Sequence, residues 1–274
     1  MRKLLHAEQI KLLSYTPFRI LIILYFVFFS LGILIYPAID KQIPMISITD
    51  LFRFPDIWPF LAWITEPYNI LLSLIIIMIT CSEFSNHTFK TSVIFGMSRS
   101  ELLLQKMMAV LILSVFATLL VGITSFSLGM IYSYKLTLNL ILENTWVMAL
   151  YFLEAFSYMT IALFFAFLIR NTALTLISFL AFRVLVEPAI RLLLKDYDVR
   201  LYFPFKTISR LNPLPDLMAI FQQKMNSGPD GEVPPDANFL GKALPLWADV
   251  LLVIGYVSLF LFLSHRIINR RKLS

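Results

Sequence analysis

Apolar residues in this chain run in long blocks, each ended by a short polar or proline-bearing segment. A helix needs about 20 residues to cross roughly 30 Å of hydrocarbon, and six blocks are read as spans of that kind. The first covers residues 18–36, the second ends near Cys81, and the third fills the charge-free interval between Lys106 and Lys135. The fourth lies between Glu143 and Arg170. Only Asn171 and Thr172 separate Arg170 from the fifth, residues 173–190, so these two predict a tight helical hairpin. The sixth ends at Ser264, just before His265 and Arg266.

The start of the second span is interrupted by Trp58-Pro59-Phe60 and Glu66-Pro67, since proline disfavours helix at the residue before it. Residues 56–65 therefore read as an interfacial segment whose Trp58 and Trp63 suit the headgroup layer. Residues 1–17 read as an interfacial helix ahead of a retained first span, because no small-residue cleavage pattern follows the first apolar block. The expected fold is an all-α integral membrane protein. It forms one transmembrane domain over 1–274, with a cytosolic segment at 82–106 between spans two and three and an extracellular segment at 195–245 before span six.

Composition sharpens the class. Of 274 residues, 59% are apolar and 15% charged, with a mean hydropathy of +0.80, far from the balance of a water-soluble domain. Basic residues orient the bundle. Arg2, Lys3, Lys11, Arg19, Lys90, Arg99, Lys106, Arg170, Arg266, Arg270, Arg271 and Lys272 flank one side, against Lys41, Arg53 and Lys135 in the two short loops on the other; the six basic residues of 195–245 lie in a long segment, and such segments cross largely regardless of charge. This predicts a multi-pass membrane protein with both termini cytosolic. The net charge of +6 thus reflects topology, and no basic stripe interleaved with aromatics suggests nucleic acid as a partner.

Several chemistries lack their residues. The only Gly-Lys pair, Gly241-Lys242, is followed by Ala243 and has Asp236 where a phosphate loop needs its first glycine, so the chain has no P-loop for ATP. His6, His87 and His265 stand far apart without a second ligand nearby, and the lone Cys81 excludes an internal disulfide. No GxSxG elbow occurs. No cofactor is expected in this chain.

The polar island between spans two and three carries the strongest motif. It runs Glu83-Phe84-Ser85-Asn86-His87-Thr88-Phe89-Lys90, then through Gly96-Met97-Ser98-Arg99 to Lys106. It resembles the cytosolic coupling segment of the permease subunits of type 2 ABC exporters (ABC-2 type). There, a Glu past span two is followed by a Gly-Thr pair, a short helix, a Pro-x-Ser-Arg turn and a Lys opening span three. Glu83, Thr88, Lys90, Ser98, Arg99 and Lys106 match; His87 stands at the usual Gly and Gly96 at the usual Pro. The layout is also similar, with Glu8-Gln9-Ile10-Lys11 in an interfacial helix and a longer region before the last span. The resemblance implies a permease that forms its path as a dimer with a second protomer, between spans two and five. It also implies separate ATPase subunits, which would bind ATP and Mg, with Glu83 and Arg99 central to coupling.

Apart from the resemblance, a surface helix over 84–95 would put Phe84, Thr88, Thr91 and Phe95 on one stripe, which could seat in a groove on a partner. Ser98 followed by Glu101 reads as a capping box for span three. The plainer alternative is an amphipathic loop helix that caps the bundle.

Charges inside the spans are the other feature. Glu154 and Arg183 each lie about ten residues into their spans from opposite sides, which at about 1.5 Å per residue puts both near the midplane as a possible pair. Arg183, Glu187 and Arg191 follow at i, i+4 and form a ladder on one face. Such residues are costly in lipid and face the interior; they serve either a substrate or gating site or a structural salt bridge. Ser114, Thr118 and Gly122, with Ser125 and Gly129 beyond, form a small-residue stripe suited to close helix packing within the chain or to a dimer interface. Within 195–245, residues 201–205 are apolar and 214–223 predict a short helix before a turn-rich break. The resemblance places re-entrant helices there. Two other classes stay open: an intramembrane enzyme using Glu154, Arg183 and Glu187, and a non-transporting membrane scaffold or immunity protein.

Overall fold

The computed structural model describes residues 19–31 apart from 21 and 28, 51–212 apart from 135, and 244–270. The expected interfacial helix at 1–17 and the short helix at 214–223 lie outside the described residues. Those described form helices and turns without a strand. An apolar surrounding favours this, because a helix satisfies its own backbone donors and acceptors.

In chain order the helices are α1 (Ile57–Ile64), α2 (Glu66–Ser85), α3 (Thr88–Ile94), α4 (Arg99–Tyr132), α5 (Leu138–Leu142) and α6 (Val147–Ile169). Then come α7 (Thr172–Ala181), a π-helical stretch Phe182–Val186, α8 (Glu187–Leu193), a 3-10 turn Asp198–Tyr202, α9 (Pro204–Ser209) and α10 (Leu246–Arg270). Among the described residues, five stretches are long and apolar enough to cross a membrane: α2, α4, Leu138–Ile169, Thr172–Leu193 and α10. The first expected span is described in part, as a shorter apolar helix over Ile22–Leu31. Its Tyr25 and Phe29 rings pack against Tyr68 of α2, and Tyr25 also meets Phe116 of α4.

Helix α6 is the centre of the bundle, packed against α1, α2, α4, α7, α9 and α10. One apolar cluster joins α1, α2, α4 and α6; a second joins α2, α6, α7, α9 and α10 through Tyr158, Phe179, Phe205 and Val253. The Thr172–Leu193 stretch and α10 lie at the periphery and expose Leu174, Ile177, Leu185, Leu251 and Phe262. Spans consecutive in the chain run antiparallel, with the α2–α3–α4 connection, the α6–α7 turn and the end of α10 gathered at one end, so that α6 runs parallel to its neighbours α2 and α10.

Several boundaries differ from the sequence expectation, each for a local reason. Only Thr65 separates α1 from α2, and its hydroxyl donates back to the Leu61 carbonyl at 2.6 Å. Pro67 falls in the first turn of α2, where a missing N–H costs nothing. Trp58, expected at headgroups, is buried within the protein and its indole Nε1 donates to the Ile141 carbonyl at 3.0 Å. Helix α2 continues past Cys81 to Ser85, and α4 starts at Arg99, well before Lys106. Helix α10 runs past Ser264 to Arg270, because basic residues in a last turn complement the helix dipole and do not end the helix. The expected α6–α7 hairpin is present: Arg170 turns with φ 61° and the Asn171 side chain accepts the Leu174 N–H at 3.1 Å.

The fifth span is interrupted where the sequence reading had it continuous. Pro188 lacks an N–H and its ring crowds the carbonyl four residues back, so the helix widens to a π turn over Phe182–Val186 just ahead of it.

In the small-residue stripe, Ser114, Ser125 and Gly129 are buried within this chain, while Thr118 and Gly122 are half-buried. A Cβ at Gly129 would overlap the ring of Phe54, itself buried. Gly129→Val should therefore destabilise the protein by about 1–3 kcal/mol through overpacking, read as a lower melting temperature in detergent. Gly255→Ala, where nothing lies within 4 Å of an added Cβ, should not lower it.

Candidate functional site

The α2–α4 connection is built around two reversals. Helix α2 ends at Ser85, His87 adopts a left-handed conformation with φ 55°, and α3 begins at Thr88. Gly96, with φ 94°, then ends α3 in the region that glycine enters at least cost. At Ser98 the expected capping box forms: the Ser98 Oγ accepts the Glu101 N–H at 3.3 Å, and the Glu101 carboxylate accepts the Ser98 N–H at 2.7 Å.

The reversal at His87 corrects the expected stripe. Phe84 belongs to α2, so it does not share a face with Thr88, Thr91 and Phe95. It is buried instead, with its ring 4.6 Å from Phe89 and 6.0 Å from Phe167, and the Arg170 guanidinium 5.0 Å from its centre. Thr88 is half-buried and its hydroxyl donates to the Glu83 carbonyl at 3.3 Å. Lys90, Thr91, Ile94, Phe95, Gly96 and Ser98 are exposed, Ile94 to 74% and Phe95 to 86%.

Beneath α3 lies a buried ion pair. The Lys106 ammonium meets the Glu83 carboxylate at 2.9 Å with both side chains at least 95% buried, and it also sits 5.9 Å from the centre of the Phe89 ring. The pair joins the end of α2 to the start of α4. Arg99 makes a second tie: its guanidinium donates to the carbonyls of Ile268 at 3.1 Å and Asn269 at 2.7 Å. These belong to the last turn of α10, whose carbonyls have no helical donor. Glu83 and Arg99 thus lock three helices together at this end.

A second polar cluster occupies the other half of the bundle, and its wiring differs from the expected one. Arg183 does not pair with Glu154. It pairs with Glu66 at 2.8 Å, which also accepts from the Tyr158 hydroxyl at 2.7 Å and the Ser209 hydroxyl at 3.4 Å. Glu154 accepts from the amides of Asn69, at 3.4 Å, and Asn212, while Tyr151 donates to Asn69 at 3.2 Å.

The expected ladder forms only in its second half. Arg191 lies 3.9 Å from Glu187, but the π turn rotates Arg183 away. Glu187 instead accepts the backbone N–H groups of Phe205 at 3.0 Å and Lys206 at 2.7 Å, capping α9. Arg210 on the far side of α9 pairs with Asp249 in the first turn of α10. Among the described residues, no group of three His, Cys, Asp or Glu converges as metal ligands.

Sequence reasoning missed Glu66, taken only as part of a helix interruption with Pro67. The available signal was an acidic residue followed by Asn69 and Ser73 at helical spacing, a polar stripe on an otherwise apolar span. No family model and no curated protein matches the chain.

Removing one member of a buried ion pair leaves an uncompensated charge, typically at about 3–5 kcal/mol. Glu83→Gln or Lys106→Met alone should lower the melting temperature in detergent well below that of the double variant Glu83→Gln with Lys106→Met. In the second cluster, Arg183→Gln and Glu66→Gln should show the same non-additivity with each other, whereas Glu154→Gln should add independently to Arg183→Gln. Thermal unfolding of the single and double variants gives both coupling energies.

Proposed function

We propose that this chain is the membrane-spanning permease subunit of a type 2 ABC exporter. In this reading it works with a second permease protomer, a homologous or identical chain, in a bacterial inner membrane with both termini cytosolic. Separate ATPase subunits bind ATP and Mg and drive it. The observation that carries the reading is α3: a short helix that exposes Ile94 and Phe95 while its flanks are locked by the buried Glu83–Lys106 pair.

Two large apolar side chains at the tip of a helix suit an aromatic-anchored contact with a soluble subunit, since a few buried anchors usually dominate such interfaces. Lys90 beside them adds charge for orientation. Thr88, Gly96, Ser98 and Arg99 shape and fasten the segment rather than meeting the partner through an aromatic stripe. Glu83 and Phe84 transmit from beneath. Lipid or the second protomer would cover the exposed apolar faces of the Thr172–Leu193 stretch and α10.

The enzyme reading has less support. Glu154, Arg183 and Glu187 are each engaged with different partners, namely two amides, Glu66 and the α9 backbone. A scaffold without transport is separated by experiment.

Co-expression with the neighbouring reading frames and purification in mild detergent should bring down an ATPase subunit. The double variant Ile94→Asp with Phe95→Asp alters only exposed positions, so it should keep the melting temperature while reducing the copurified ATPase by about tenfold or more, as expected for loss of central apolar anchors. An absence of any associated ATPase, or retention of ATPase and unchanged ATP turnover in this variant, would sink the reading.

A further inference from the structure

We propose that the pocket between α2, α8 and α9 is an oxyanion site that takes a phosphate group. The pocket has a volume of about 380 Å³ and is lined by Arg183, Arg191, Lys206 and Ser209, with Phe205 as part of its apolar wall and Glu187 beside them. The inference rests on these residues alone and does not require ATP-driven transport.

Charge bookkeeping around the pocket leaves a surplus of positive charge. Glu66 is engaged by Arg183 and Tyr158. Glu187 gives one oxygen to the Phe205 N–H and the other to the Lys206 N–H, so it meets Arg191 only at 3.9 Å. The buried Nε of Arg191 has no hydrogen-bond acceptor. Lys206 lines the same space and makes no ion pair within 4 Å among the described residues, and Arg210, just past the end of α9, is taken by Asp249. Lys206 lies outside the spanning helices, and its pKa is pushed down by burial first, then by Arg191 and Arg210, against the opposing pull of Glu66 and Glu187. An anion between Lys206 and Arg191 would supply the missing acceptors.

The rest of the lining fits a phosphate. Its several oxygens match a guanidinium and an ammonium approaching from different helices, and charge-assisted hydrogen bonds are the strong ones. The Ser209 hydroxyl makes only a 3.4 Å contact with Glu66, so it is able to turn toward an incoming oxygen. Beside the pocket, the same stretch exposes Val184, Leu185, Leu192 and Leu193. That juxtaposition of paired cations and an apolar rim suits a phosphate carried on an acyl-chain amphiphile, while a free phosphate shares the same recognising groups.

The full-length chain, purified in detergent, is titrated with phosphatidylglycerol, with diacylglycerol of the same chains, and with inorganic phosphate. Native mass spectrometry counts bound lipid, and thermal unfolding reads the phosphate arm. Phosphatidylglycerol should bind and raise the melting temperature where diacylglycerol does not. Lys206→Gln should weaken it about tenfold, the usual scale for one lost charge-assisted hydrogen bond, and Lys206→Arg should restore it. Lys206→Gln removes a cation with no ion-pair partner among the described residues, so its own melting temperature without ligand should match the parent. Stabilisation by inorganic phosphate, lost in Lys206→Gln, would support the site and name a soluble source. Binding that is absent in both arms, or that is unchanged in Lys206→Gln, would overturn the proposal.

Discussion

The carboxylate of Glu66 organises one half of this bundle. It is largely removed from solvent at the start of α2, where an unpaired charge would be prohibitive. Its partners come from three other elements: Tyr158 from α6, Arg183 from the π turn and Ser209 from α9. Satisfying one buried charge therefore fixes where the fifth span lies against α2 and how the following segment folds back onto the bundle. Glu154 repeats the arrangement with neutral partners, drawing Asn69 and Asn212 to α6. Packing alone would leave such apolar helices free to slide, since lipid tails are as apolar as leucine. The polar contacts set the register.

The break in the fifth span follows from the same economy. A regular helix through Pro188 would stack Arg183 under Glu187, and the two would neutralise each other along one helix. The π turn separates them, so that Arg183 reaches across to α2 while Glu187 is left to cap α9. One proline thus converts an intrahelical ladder into two contacts between elements. Those contacts are what hold Arg191 and Lys206 around a shared space.

Much of the fold was legible in the chain because lipid-facing helices announce themselves by length and apolarity. Spans three, four and five, the α6–α7 hairpin, the Ser98–Glu101 capping box and the turn at Gly96 all depend on local sequence. The misreadings involve partners distant in sequence or a local conformation without a side-chain signature. Nothing near Glu83 announces that its charge is spent on Lys106, and the left-handed turn at His87, which removes Phe84 from the α3 face, occurs at a residue type with no strong preference for it. Arg183 and Glu154 were correctly seen as interior charges, yet their partners, Glu66 and Asn212, come from segments that sequence periodicity treats as breaks. Pro188 was visible, but its effect on the side-chain register required the helix itself.

Helix α2 connects the two halves. It carries Glu66 at its first residue and Glu83 two residues before its end, about 26 Å apart at 1.5 Å per residue, and each carboxylate is paired to a different helix. A displacement of α3 or α4 relative to the bundle meets the Glu83–Lys106 contact, which cannot stretch without exposing two charges to an apolar surrounding. The cheaper response is for α2 to move as a unit, since its backbone ladder is continuous over twenty residues. That motion arrives at Glu66, where it is felt by Arg183 and hence by the π turn, the place in the fifth span where a change of helical register costs least. In the exporter reading, force applied at Phe95 reaches α2 through the His87 turn and the Glu83–Lys106 pair, and α2 carries it as one rigid element to the Glu66–Arg183 contact. The coupling needs no chain of intermediate residues beyond the two ion pairs that fasten it.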